Sequence, residues 1–214
     1  MEPYRFSRGW NVVRPVLATA VLLVPAYAVA VYLYVLSPQA IDVGYAPIQP
    51  MPFSHAMHAG ELGKHCRYCH NTVENTARAS IPTTQTCMAC HQTIRADSEK
   101  LAPLRESHET GKPIQWVRVH DLPDFVYFDH SAHVSRGVGC VSCHGRIDKM
   151  EVVRQSETLR MSWCLGCHRT PEPQLRPQEM ITSMDWQAIS AGADGLQLSI
   201  RSVNPSQDCS TCHR

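Results

Sequence analysis

The chain has 214 residues and a formal net charge of +1, enough for one domain with an anchor or two small domains. Without a basic stripe, that charge excludes nucleic acid as a partner. Aromatic residues make up 7%, and 15 prolines outnumber 11 glycines, too little to build a large apolar core without covalent or metal staples.

Residues 1–14 form a short, arginine-bearing N-terminus, and residues 15–36, PVLATAVLLVPAYAVAVYLYVL, carry no charge. At about 1.5 Å per residue this run reaches roughly 33 Å, enough to cross a bilayer's hydrocarbon. Arg5, Arg8 and Arg14 precede it and no basic residue follows before Lys64, which predicts a cytoplasmic N-terminus. Trp10 on one side and Tyr32 and Tyr34 on the other read as interfacial aromatics. Pro25 falls mid-span, where a kink is tolerated in a membrane helix. Ala26-Tyr27-Ala28 and Ala28-Val29-Ala30 resemble signal-peptidase sites, yet the apolar run continues past both to Leu36. A retained single-pass anchor is expected, with the rest of the chain on the periplasmic side.

A proline-punctuated linker occupies 37–52, and residues 53–127 hold a first module and its connector. The second module spans 128–168, and 169–214 is a C-terminal extension opening with RTPEPQLRP. Within the extension, 183–191 is predicted to form a short helix stopped by Gly192.

All ten cysteines fall in C-x-x-C-H units, at Cys66/Cys69/His70, Cys87/Cys90/His91, Cys140/Cys143/His144, Cys164/Cys167/His168 and Cys209/Cys212/His213. The unit is the attachment signature of c-type haem. Two thiols add across the porphyrin vinyl groups, and the adjacent imidazole becomes the proximal iron ligand. Five units with no stray cysteine predict five covalently attached haems. Zinc knuckles would not require a histidine after every second cysteine. Disulfides leave the histidines unexplained, and a thioredoxin-like pair calls for a βαβ pattern that is absent.

An occupied sixth position on the iron favours electron transfer, and an open one favours binding or catalysis. Seven histidines remain: His55, His58, His65, His108, His120, His130 and His133. Phe53-Ser54-His55-Ala56-Met57-His58 precedes the first motif, and Phe128-Asp129-His130-Ser131-Ala132-His133 precedes the third. Each F-x-H-x-x-H is followed by two attachment motifs, which marks an internal duplication of a two-haem module with a fifth haem appended. Imidazoles three apart share one helical face, so His55, His58, His130 and His133 are predicted distal ligands. His120 is the first choice for the remaining distal position, with Met150 and Met161 as alternatives. A thioether ligand would raise that haem's potential, although methionine is more often core filler. His65 abuts Cys66 and is too constrained to reach another iron. His108 lies in a polar stretch that reads as a solvated loop.

The paired histidines and attachment motifs resemble the class III, low-potential multihaem cytochromes c. The stretches PFSHAMHAGELGKHCRYCH (52–70), IPTTQTCMACH (81–91), HDLPDFVYFDHSAHVSRGVGCVSCHGRIDKMEVV (120–153) and MSWCLGCHR (161–169) are similar to the multihaem subunit of alternative complex III and related quinone-reductase complexes. That resemblance implies a mostly α and irregular fold, with one transmembrane helix followed by a haem-packed class III-type domain. It also implies an electron-transfer subunit, not an enzyme by itself, of a membrane quinol:electron-acceptor oxidoreductase. Its implied partners are integral membrane quinol-binding subunits, an iron–sulfur subunit, a monohaem cytochrome c, and a soluble cytochrome or copper acceptor. Two rival readings are an open-haem enzyme and a self-sufficient quinol dehydrogenase. Five candidate distal histidines disfavour the first, and the haem number and paired motifs disfavour the second. Beyond the anchor acidic residues slightly outnumber basic ones, which favours a carrier with a basic face.

Overall fold

The computed structural model describes residues 7–35, 42–185 and 203–213. Chain contacts separate two units, Met1–Asp42 and Val43–Arg214, a division that falls inside the expected linker.

The first unit is built on α1 (Trp10–Val35), which holds both Pro15 and Pro25 and buries no residue. It starts five residues before the uncharged run, because backbone hydrogen bonding is indifferent to side-chain charge. The amides of Trp10 and Val13 already donate to Ser7 and Gly9. The Thr19 hydroxyl donates to the Pro15 carbonyl at 2.8 Å. Helix α1 is long and apolar enough to cross a membrane, with a mean hydropathy of 2.2 over its best window.

The second unit is a chain of short helices and turns: α2 (Cys66–Cys69), α3 (Thr84–His91), α4 (Ala102–Thr110), α5 (His130–Ser135), α6 (Val141–His144), α7 (Met161–Arg169) and α8 (Cys209–Cys212). Among the described residues there is no sheet, and β-pairing is confined to isolated bridges, Val126 to His213 and Val138 to Leu175. Only seven apolar residues are buried among those described, so side chains alone make a small core. Met51, Met88 and Leu104 form one cluster, backed by Leu101, Ile114 and Trp116.

The polar stretch around His108, residues 105–109, expected as a solvated loop, instead lies within the helix Ala102–Thr110. Leu104 is fully buried against Met88, and Gly111 ends the helix at φ 71°, its amide donating to the Ser107 carbonyl. That left-handed cap suits glycine. His108 lies on the exposed side of α4. The helix expected over 183–191 falls mostly on residues outside those described.

The C-terminal extension also differs from a simple link. Its first part, 174–183, straps across the loop before the third motif. Gly139 and Cys140 donate to the carbonyls of Gln174 and Ile181, and Arg176 donates its amide to the Gly137 carbonyl. Leu175 and Ile181 are buried beneath the strap.

Candidate functional site

Each C-x-x-C-H unit sits on a helical turn. The motifs form α2, the ends of α3 and α7, α6, and α8. One turn sets cysteines three apart on one face with the following histidine beside them. None of the ten cysteines is in a disulfide. Burial raises the thiols of Cys66, Cys69, Cys87, Cys140, Cys164 and Cys167 above the ordinary value, and pushes Cys143 up to about 12. Buried positions of this kind suit an uncharged thioether.

The two F-x-H-x-x-H segments adopt matching arrangements. The first enters a π-helical turn, Ala56–Glu61, a geometry often found at functional sites. The second forms α5, capped by the Asp129 carboxylate, which accepts from the amides of Ser131 and Ala132. Phe53 packs on His55 and His58 with ring centres 4.9 and 4.5 Å away. Phe128 packs on His130 and His133 at 4.8 and 4.5 Å. The duplication legible in the sequence is therefore repeated in side-chain geometry.

Each of these four histidines faces one motif histidine of its own module. Ring centres lie 6.4 Å apart for His55 and His70, 6.2 Å for His58 and His91, 6.4 Å for His130 and His144, and 6.1 Å for His133 and His168. A metal–imidazole bond of about 2 Å on either face, with roughly 1 Å from each nitrogen to its ring centre, places two axial rings about 6 Å apart. The residues therefore fit an iron between each pair. The first pair of each module is nearly parallel, at 8° and 10°. The second is rotated, at 64° and 49°.

Hydrogen bonds orient the rings. The Nδ1–H groups of His58, His70, His91, His130, His133 and His168 donate to the carbonyls of Ser54, Ser80, Ile94, Ala77, Asp129 and Ser206, at 2.6–3.0 Å. This fixes the tautomer that leaves Nε2 free for a metal. Burial, helped by neighbouring His70 and His58, lowers His55 to about 4. Burial with the charges of His120, His130, His70 and His55 lowers His144 to about 3.

The other expected site residues sit elsewhere. His120 lies edge-on to His144, ring centres 4.6 Å apart, with its Nε2 buried and unpartnered. The ring against His213 is Phe125, at 5.8 Å and 29°. Met150 is buried at 3% exposure, with its carbonyl accepting from Ala56. Met161 opens α7 and is 59% exposed. His65 caps α2, its Nδ1 accepting from the Arg67 amide at 3.2 Å and its Nε2 meeting the Thr182 hydroxyl at 3.1 Å. Both of its nitrogens are engaged.

Several attachment-motif thiols lie in electrostatic reach of a thiol of another motif: Cys69 of Cys90, Cys140 of Cys66, Cys143 of Cys164 and Cys167, and Cys164 of Cys212. Sequence reasoning missed these neighbours, and it missed Arg176, a residue 5% exposed whose guanidinium lies against Gly139 beside the third motif.

Comparison with known proteins agrees with this geometry. The chain is 29% identical over 177 residues to the "Menaquinone reductase, multiheme cytochrome c subunit" of Nitratidesulfovibrio vulgaris (strain Hildenborough), covering 78% of this chain and 77% of that protein. Residues 126–214 match the family described as cytochrome c7 and related cytochrome c. Over those residues the chain is thus similar to multihaem cytochromes c of the cytochrome c7 type.

Proposed function

We propose that this chain is the pentahaem electron-transfer subunit of a membrane quinol:electron-acceptor oxidoreductase of the alternative complex III type. The supporting observation is the set of four imidazole pairs, each at the spacing of two axial ligands on one iron. In this reading His70, His91, His144, His168 and His213 are proximal. His55, His58, His130 and His133 are the matching distal ligands of the first four sites.

When bound, the haems supply one-electron carriers whose potentials follow axial ligation, burial and local charge. The chain's own part is to fix the thioether sites in a row, hold each ring by its Nδ1 hydrogen bond, and fill the sixth positions. Helix α1 anchors the chain with its N-terminus in the cytoplasm and Val43–Arg214 on the periplasmic side. Integral quinol-binding subunits, an iron–sulfur subunit and a monohaem cytochrome c are its partners, and a soluble carrier or an oxidase accepts the electrons.

The test is intact mass and spectroscopy on the purified protein. Five added haems are expected, with little carbon monoxide shift. Electron paramagnetic resonance should give two kinds of low-spin signal, one from parallel and one from rotated ligand planes. Zinc in place of haem, or a carbon monoxide shift on several haems, would overturn the reading. A second reading is favoured by the similarity to a menaquinone reductase subunit: electrons then run from a periplasmic donor toward quinone. The purified complex separates the two, since one reading requires quinol oxidation by an oxidised carrier and the other quinone reduction by a reduced one.

A further inference from the structure

The first and third attachment sites look alike. Their axial rings share a spacing of 6.4 Å and are within 10° of parallel. Their thiols Cys66 and Cys140 are in electrostatic reach of each other. Their charges are not alike.

At the first site Arg67 lies 3.2 Å from the Glu74 carboxylate and donates from an Nη group to the Gln178 carbonyl; Cys66 feels the Arg67 cation and the Asp148 anion, whereas Cys140 feels the cations of Arg176 and Arg67 and neither carboxylate. At the third site Arg176 has no carboxylate partner among the described residues. Its Nη1 donates to the Ser183 carbonyl at 2.8 Å, and its Nε is buried without a partner. The Cys140 thiol feels its charge. A buried, unpaired guanidinium is costly, yet the chain is shaped around this one. A Cβ on Gly139 would run into the guanidinium. Gly137, at φ 85°, brings the backbone against the Arg176 carbonyl, and the strap's amide ladder holds the residue in place.

We propose that Arg176 is a potential-setting residue, a fixed cation that raises the reduction potential of the haem on Cys140 and Cys143 above that of the haem on Cys66 and Cys69. Uptake of one electron by that haem makes no bond and adds one negative charge, which a nearby unpaired cation stabilises. Electron sharing between the two sites is thereby biased toward the third. The proposal rests on the haem-binding reading above, and intact mass keeps the two separable.

The experiment is a potentiometric titration of the haem-loaded protein, followed optically and by the low-spin signal of the parallel-ring class. Arg176→Met should shift one transition negative by enough to change the sharing equilibrium about tenfold, about 59 mV for a one-electron couple. Arg176→Lys, which keeps the charge, should stay near the parent. Arg176→Gln keeps a donor for Ser183 without the charge, and carries the same expectation if Arg176→Met does not assemble. Unchanged potentials in the uncharged variants would overturn the proposal, as would an equal shift in Arg176→Lys, which would make the effect one of packing. An intact mass lacking the haems would instead defeat the haem-binding reading.

Discussion

On the haem-binding reading, replacing Cys140 and Cys143 together by alanine should remove one haem from the intact mass and leave the first and fourth sites without the site between them. Cys140 lies in electrostatic reach of Cys66, and Cys143 of both thiols of the fourth motif, which puts the third site between the two modules. In the haem-loaded protein, electron equilibration among the remaining haems should then slow; equilibration at the parent rate would show that the third site does not link the modules. The variant should assemble, because the joining segment is also held by backbone and ring contacts that the substitution leaves alone. His130 donates its amide and its Nδ1–H to the Ala77 carbonyl, and the strap pairs with residues 137–140.

On the haem-binding reading, His130→Ala should convert one haem into a carbon monoxide-binding, high-spin site, whereas His120→Asn should not. His130 lies across from His144 at axial spacing. His120 meets the same ring edge-on at only 4.6 Å, too close and too steeply inclined to share an iron with it. The lost side-chain hydrogen bond in His130→Ala costs about 0.5–1.5 kcal/mol, and the amide bond to Ala77 survives, so the site can open without unfolding. His120→Asn should alter the spectrum or potential of the haem on His144. A new carbon monoxide-binding haem in His120→Asn would show instead that His120 leaves His144 to serve the fifth iron. The measurement is a reduced carbon monoxide difference spectrum of both variants.

Much of the site was readable from residue order. Covalent attachment is a short-range device, and the spacing of Cys66, Cys69 and His70 is its own geometry. The F-x-H-x-x-H repeat was likewise legible, since His55 and His58 need only one turn to stand together. Helix α1 followed from composition, because a bilayer's thickness translates directly into a run of uncharged residues. The helix at Ala102–Thr110 was harder to see. Its polar run Arg105-Glu106-Ser107-His108-Glu109 conceals Leu104 as the buried contact and Gly111 as the stop.

By itself, then, the sequence determined where the C-x-x-C-H units, the paired histidines and the membrane-length segment lie, because those depend on residues within a turn or two of one another. Which histidine faces which motif, and His120 resting on His144, were decided only by the tertiary structure. So was the strap that delivers Arg176 to Cys140 across 36 residues of chain. The physical reason is that electrostatic neighbours are set by distance in space, and local spacing constrains that distance only where the backbone has no room to turn.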